Sequence, residues 1–411
     1  MRSTEIEAVG ELAGEALAAV GTLARDMHAG IAGRPLGILG LAAAPVRFLH
    51  DGISHAVYGG VLGALRTAAQ GSARALATHA GDEAPALGSG PGASMALGAL
   101  NGFYGNHLAE RRNELALGMD IRRHGAGVPL TPGGVAAAFP DASARMAVFV
   151  HGLCETDDSW RLLPLRGERA GRRTYGERLQ DELGYTPVYL RYNTGLRISA
   201  NGRGLAALLD DLVEGWPVEV EEVALVGHSM GGLVARSACH YGQADGRLWT
   251  NDVRHVFCLG TPHLGADLEK GANALGWGLA RLPETRALAN LVNSRSVGIK
   301  DLRYGSCVDE EWSDCDPDEF LNDRCQEIPF LPDAGYYFVG ATLTNGPLGS
   351  MVGDLLVRMP SASGRGTGKG RRIPFEVDKG HELSGLTHFD LLNHPAVYEQ
   401  MRAWIGSVPQ S

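Results

Sequence analysis

The chain lacks a basic excess. Its 37 lysines and arginines are outnumbered by 47 aspartates and glutamates, giving a net charge of −10. A general nucleic-acid binder carries a cationic stripe to meet phosphates, so that class is not expected. No apolar run reaches the length of a bilayer-spanning helix, roughly twenty residues, so no transmembrane segment is expected. The first residues, Met1–Glu15, interleave acids with apolar side chains where a secretory leader needs an unbroken apolar stretch. No secretory signal is expected, and a cytoplasmic location follows. Cysteine is scarce, with six in 411 residues. Cys154, Cys239 and Cys258 lie in apolar segments, and Cys307, Cys315 and Cys325 in the polar stretch 304–326. Their spacing matches no zinc pattern, and no His-Glu-x-x-His occurs, so neither a metal nor a cofactor is expected. The last three would allow one bridge, but free thiols are the expectation.

What the chain does have is apolar bulk and flexibility. It is 44% hydrophobic with 57 glycines, enough for a sizeable core. Residues 1–143 are rich in alanine and glycine and read as a helical N-terminal region. Over Glu5–Met27, Ile6, Val9, Leu12, Leu17, Val20 and Leu23 recur near helical spacing. Val46–Ala77 and Met95–Met119 continue the helical character, and Gly81–Gly92 reads as a linker. The apolar stretch Gly37–Val46 is compatible with peripheral contact with a membrane or a partner. Lys and Arg are sparse here for an interfacial anchor, so helices packed on the rest of the chain are the simpler expectation.

Over residues 144–406 strand and helix patterns alternate. Met146–Val150, Pro187–Arg191, Val223–Val226, His255–Leu259 and Tyr336–Leu343 read as strands. Tyr175–Leu183, Leu205–Val213, Leu233–Tyr241 and Pro395–Ile405 read as helices. Repeated strand–helix units imply an α/β fold with a mostly parallel sheet and helices on both faces. Residues 265–332 break this rhythm and read as a cap insertion. Leu275, Trp277, Leu279, Leu282, Leu288 and Leu291 in its first half suit a hydrophobic cleft. Asp309, Glu310, Glu311, Asp314, Asp316, Asp318 and Glu319 in its second half are expected to face solvent. Ser361–Arg372 is basic and glycine-rich but lacks phosphate-loop spacing, so it reads as a solvated loop.

The most informative stretch is Val223–Gly232, Val-Ala-Leu-Val-Gly-His-Ser-Met-Gly-Gly. A β-branched run, a Gly-x-Ser-x-Gly turn and a helical pattern follow one another, as a nucleophile elbow requires. Ser229 is the candidate nucleophile. A serine needs a base to take its proton, an acid to orient that base, and N–H donors for the oxyanion. The donors expected are the N–H of Met230 and that of Leu153, in His151-Gly152-Leu153 after an early strand. His151 is an alternative base, but it precedes the serine. The acid and base should follow the serine in that order. Asp354 follows a strand and is the candidate acid. Asp333 precedes that strand and Asp301 lies in the insertion. His388, just before the last helix, is the candidate base. His381 is its main competitor, His394 looks like part of the helix entry, and His263 is a further possibility. His228, beside the serine, is expected to pack.

The motifs Val-His-Gly-Leu, Gly-His-Ser-Met-Gly-Gly-Leu-Val-Ala-Arg, Gly-Thr-Pro-His-Leu-Gly-Ala, Gly-Asp-Leu-Leu-Val-Arg and Leu-Thr-His-Phe-Asp-Leu-Leu-Asn-His-Pro resemble bacterial α/β-hydrolase-fold serine esterases and lipases. The broader group includes the GPI inositol-deacylase-like hydrolases. The resemblance covers about residues 144–406 and implies Ser229, Asp354 and His388 as a triad, an oxyanion hole from Leu153 and Met230, and no cofactor. The expected function is hydrolysis of small-molecule or lipid carboxylic esters with hydrophobic acyl chains. An acyltransferase or thioesterase would use the same triad, and a non-catalytic interaction module would use the fold alone.

Overall fold

The computed structural model describes the chain except residues 39–43, 81–86, 162–172, 282–284, 345–352, 355, 367–370 and 408–411. Leu282 and parts of Gly37–Val46, Gly81–Gly92 and Ser361–Arg372 therefore lie outside the described residues. The chain opens with α1 (Ser3–Ile38), α2 (Ala44–Ala77) and α3 (Pro91–Glu110), then β1 (Asp120–Arg123), β2 (Ala126–Gly127) and α4 (Pro132–Ala138). There follow β3 (Arg145–Val150), α5 (Tyr175–Leu183), β4 (Tyr185–Arg191), α6 (Ile198–Glu214), β5 (Glu222–His228), α7 (Met230–Ala244) and β6 (Val253–Leu259). The last part holds α8 (Asp267–Leu279), α9 (Arg286–Asn293), α10 (Val297–Asp301), β7 (Gly335–Thr342), α11 (Met359–Ala362), β8 (Gly380–Ser384) and α12 (Pro395–Ser407).

The strands form one sheet in the order β2-β1-β4-β3-β5-β6-β7-β8. From β4 to β8 every pairing is parallel, and β1 and β2 pair antiparallel at one edge. This is the α/β-hydrolase fold. The strands are apolar on both sides because both sides are covered. Met146, Val148 and Val150 of β3 pack with Leu205, Leu209, Leu233 and Val234 of α6 and α7. Ala147 and Phe149 point the other way, to Tyr175, Leu179, Tyr398 and Trp404 of α5 and α12. The alternation is the two-residue period of a strand. Each fully buried Leu or Phe in these layers contributes roughly 1.5–3 kcal/mol.

Local chemistry sets the boundaries. Thr174 and Glu177 form a capping box at the start of α5, and Gly184, at φ 73°, turns the chain straight into β4. The sequence pattern carries Met95–Met119 as one helix, but α3 stops at Glu110. Arg112 takes a left-handed conformation there, and the Asn113 side chain accepts from Leu115 N. The β1–β2 hairpin is not evident from its polar sequence. His124 and Gly125 both have positive φ, the two-residue turn that matches strand twist. β8 is also unforeseen, because an edge strand buries only one side and reads as polar.

The parallel strands end at one edge of the sheet. The residues after β3, β5, β6, β7 and β8 therefore converge there. This is what brings chain positions near 152, 229, 260, 354 and 388 together.

Candidate active site

Ser229 sits between the last residue of β5 and the first of α7, with φ 52° and ψ −123°. A non-glycine residue pays for that conformation, and strain of this kind clusters at functional sites. The turn is tight enough to demand its glycines. A Cβ on Gly227 would lie 2.5 Å from Gly232 N, and one on Gly231 would run into the Val150 carbonyl. Ser229 N donates to Leu259 O at 2.8 Å, which fixes the elbow to β6. The side chain itself is half-buried and reaches a cavity.

His388 and Asp354 meet as a buried pair, with His388 Nδ1 2.7 Å from Asp354 Oδ2. The other carboxylate oxygen accepts from Leu356 N (3.0 Å) and Val357 N (2.8 Å). Burial alone would raise the Asp354 carboxyl pKa. The hydrogen bond and charge of His388 and the two backbone donors outweigh it, holding the group below its ordinary value. His388 Nε2 is buried with no hydrogen-bond partner among the described residues. His388 and Ser229 line the same cavity, with no hydrogen bond between that nitrogen and the serine.

The loop after β3 carries Gly152 and Leu153. Gly152 N donates to Glu155 Oε2 at 2.7 Å, and Cys154 N to Thr194 Oγ1 at 3.3 Å. Neither Leu153 N nor Met230 N donates to a protein acceptor among the described residues. Met230 N also lies at the positive end of the α7 dipole. Two unengaged N–H groups beside Ser229 are what an oxyanion needs.

Glu155 and His228 form a second buried pair that sequence reasoning did not assign. His228 Nδ1 is 2.9 Å from Glu155 Oε1, and its Nε2 is 3.1 Å from the His388 carbonyl oxygen. Both ring nitrogens face acceptors, so only the imidazolium satisfies both. Burial pulls the His228 pKa down, but the Glu155 carboxylate and the carbonyl pull harder, and it lies above the ordinary value. Burial likewise raises Glu155, and His228 with Gly152 N brings it below its ordinary value. The pair thus links the loop after β3 to the backbone of His388.

The competing residues are engaged elsewhere. His151 is buried and stacked on Tyr192, its Nδ1 near Gly152 O and its Nε2 accepting from Tyr192 N. His263 receives Arg236 Nη1, His381 lies on β8, and His394 accepts from Ala396 N at the start of α12. Asp301 is buried, pairs with Arg197 and accepts from Ile198 N, and burial pushes its pKa up to about 6. Asp333 precedes β7, at the far end of the sheet. All six cysteines are free thiols.

The cavity has a volume of about 270 Å³. Besides Ser229 and His388, its wall includes Phe103, Leu153, Leu268, Ala272, Ile299, Leu302, Val357 and Phe389. The insertion does contribute to it, but not through Leu275, Trp277 or Leu279. Residues 268 and 272 are one helical turn apart and share the side of α8 that borders the cavity. Trp277 instead stacks on Phe320 and under Arg281. The acidic half of the insertion does not all face solvent. Glu311 is buried and accepts from Cys307 N, Val308 N and Gln326 N. The segment has no strand ladder to satisfy those donors, so a carboxylate does it. Asp318 is half-buried and paired with Lys300 at 2.9 Å.

Residues 141–318 match the family model of the PGAP1-like alpha/beta domain. Similar solved structures include the mature form of the Bacillus licheniformis lipase BlEst2, at 19% identity over 64% of this chain and 91% of that one, TM-score 0.41. A lipase-esterase related protein from Clostridium acetobutylicum is similar at 16% identity over 64% and 94%, TM-score 0.33. The lipase of Staphylococcus hyicus is similar at 14% identity over 64% and 94%, TM-score 0.31. No curated protein matches the chain. No helix among the described residues is long and apolar enough to cross a membrane.

Proposed function

We propose that the protein is a serine hydrolase of carboxylic esters with hydrophobic acyl chains. The observation that carries this reading is one arrangement. Ser229, on a strained turn, shares an apolar cavity with His388, whose far nitrogen is held by buried Asp354. His388 Nε2 takes the Ser229 proton as the serine oxygen bonds to the ester carbonyl carbon. The N–H groups of Leu153 and Met230 hold the oxyanion. The intermediate collapses, and the alcohol leaves with the proton from His388. Water then repeats the sequence on the acyl-enzyme and releases the acid. Asp354 keeps the reactive tautomer in place and stabilises the imidazolium. Residues 144–406 carry the proposed triad and oxyanion donors, and α8 and α10 of the insertion line the acyl site. The apolar lining supports an acyl chain over a charged group.

The test is a fluorophosphonate probe together with p-nitrophenyl ester hydrolysis. Ser229→Ala is expected to abolish labelling and to lower kcat by about 10⁴-fold or more, with the fold retained. Labelling of the variant at another residue, or unchanged turnover, would overturn the reading.

A further inference from the structure

α3 lies outside the stretch that matches the family model, yet it packs against the loop that carries Leu153. Its inner face is Ser94, Gly98, Gly102 and Gly105, at spacings of three and four residues that share one side of a helix. Ser94 Oγ is 3.0 Å from Thr156 Oγ1 and accepts from Arg191 Nη2 at 3.0 Å. A Cβ on Gly98 would lie 2.9 Å from Glu155 O. One on Gly102 would lie 3.0 Å from Cys154 N and nearer still to its Sγ. At Gly98 the contact is with backbone, and at Gly102 it is with both the Cys154 sulfur and its backbone, so a side chain at either position forces a shift.

The opposite end of this contact is the insertion. Gly102 O accepts from Ser296 Oγ at 2.5 Å and Phe103 O from Ser296 N at 2.9 Å. α3 therefore bridges the oxyanion loop and the segment above the cavity. At the junction stands Phe103. It is 61% exposed although it is aromatic, and it lines the cavity that holds Ser229 and His388.

We propose that α3 is a wall of the catalytic site. Gly102 is a positioning residue that sets the Leu153 N–H through Cys154, and Phe103 contacts the hydrophobic chain of the substrate. The inference rests on the ester-hydrolase reading above. Leu153 lies between two fixed neighbours. Gly152 N is held by Glu155. Cys154, in a left-handed conformation at φ 62°, is held by Thr194 and pressed by Gly102. Moving Cys154 shifts the Leu153–Cys154 peptide and, through the Leu153 Cα, displaces the Gly152–Leu153 peptide whose N–H faces the oxyanion. That interaction matters in the transition state more than in the bound ester, so kcat should fall and KM should not rise.

The experiment measures p-nitrophenyl acetate and octanoate hydrolysis by the full chain, with thermal unfolding as the control of fold. Gly102→Ala is expected to lower kcat on the order of 10²-fold at nearly constant KM. Adding Cys154→Gly, which removes the sulfur in the way of the new methyl group, is expected to restore at least about ten-fold of that loss against the Cys154→Gly background. Phe103→Ala is expected to lower the octanoate-to-acetate ratio of kcat/KM by about ten-fold. A folded Gly102→Ala with wild-type kcat would overturn the positioning role. An unchanged chain-length ratio in Phe103→Ala would overturn the wall, and that exposed position decides the matter if Gly102→Ala fails to fold. A wild-type protein that neither hydrolyses esters nor takes the probe is a different failure. It would remove the ester-hydrolase reading before any α3 variant is made.

Discussion

At the scale of single residues, the site is built from two buried charge pairs with different duties. Asp354 and His388 are the pair proposed to act on Ser229, and Glu155 and His228 lie beside them, joined to the His388 backbone. Asp354→Asn keeps the shape but offers an amide where His388 Nδ1–H needs an acceptor. Turnover is expected to fall by about 10⁴-fold with little loss of stability, measured by kcat and thermal unfolding. The second pair makes a prediction about pH. Glu155 has a depressed pKa, so its contribution to stability is full above its unfolded value of about 4.3. It is lost as pH falls through the lower folded value. His228 has a raised pKa, so its contribution is full below its unfolded value of about 6.5. It is lost as pH rises through the higher folded value. The unfolding-midpoint gap between wild type and the double variant Glu155→Gln, His228→Gln should be widest at about pH 5–6.5 and close on both sides. A gap constant from about pH 5 to 9 would mean the pair is not ionic. That Asp354 and His388 would come together near Ser229 was legible because chain order and strand ends constrain them. Glu155 and His228 are 73 residues apart, and nothing in either local sequence announces the partner.

At the scale of elements, legibility followed burial. β3, β5 and β6 are apolar on both faces and read clearly, as did α5 with its cap. β1, β2 and β8 lie toward the sheet edges, carry polar residues and were missed. The insertion shows the same limit at finer grain. Its apolar residues were recognisable, but which face of α8 meets the cavity depends on how the helix is docked. Leu268, 72% exposed, lines the cavity, whereas Leu275, 56% exposed, does not. Both are exposed enough that truncation to alanine should change stability by less than about 0.5 kcal/mol. Only Leu268→Ala is expected to shift the preferred acyl length in a p-nitrophenyl ester series, by about one or two carbons. An equal shift in Leu275→Ala would mean that the docked face of α8 is a different one.

At the scale of the whole molecule, the first 110 residues divide by how they are attached. α1 and α2 form an antiparallel hairpin, with Gly10 against Ala73 and Gly21 against Leu62. Among the described residues it meets the body through α1, which lies beside α9 of the insertion and makes further contacts near α3. Glu5 accepts from Leu87 N at 2.8 Å, Glu15 pairs with Arg111, and Ala8 packs with Leu108 and Leu115. None of these reaches the cavity. α3 is held by Arg191, which pairs with Asp157 at 2.5 Å while donating to Ser94, and by Asn193 Nδ2 on Gly105 O at 2.9 Å. A sheet strand, β1, follows it directly, so the body of the fold begins before the change of pattern at residue 144. Sequence texture put these helices together because all three are alanine- and glycine-rich. Their attachment is what separates them. Deletion of residues 2–80 should therefore lower the unfolding midpoint by only a few degrees and leave kcat within about three-fold, because the oxyanion loop keeps its support. Deletion of residues 2–110 strips the cover from Cys154–Thr156 and Asn193–Gly195 and takes Ala8 and Leu108 away from Leu115. That chain is expected to lose cooperative unfolding by calorimetry and to retain no ester hydrolysis. A shorter chain beginning at residue 111 that melts cooperatively and turns over esters at the full rate would show that α3 is an ornament of the fold and not a part of it.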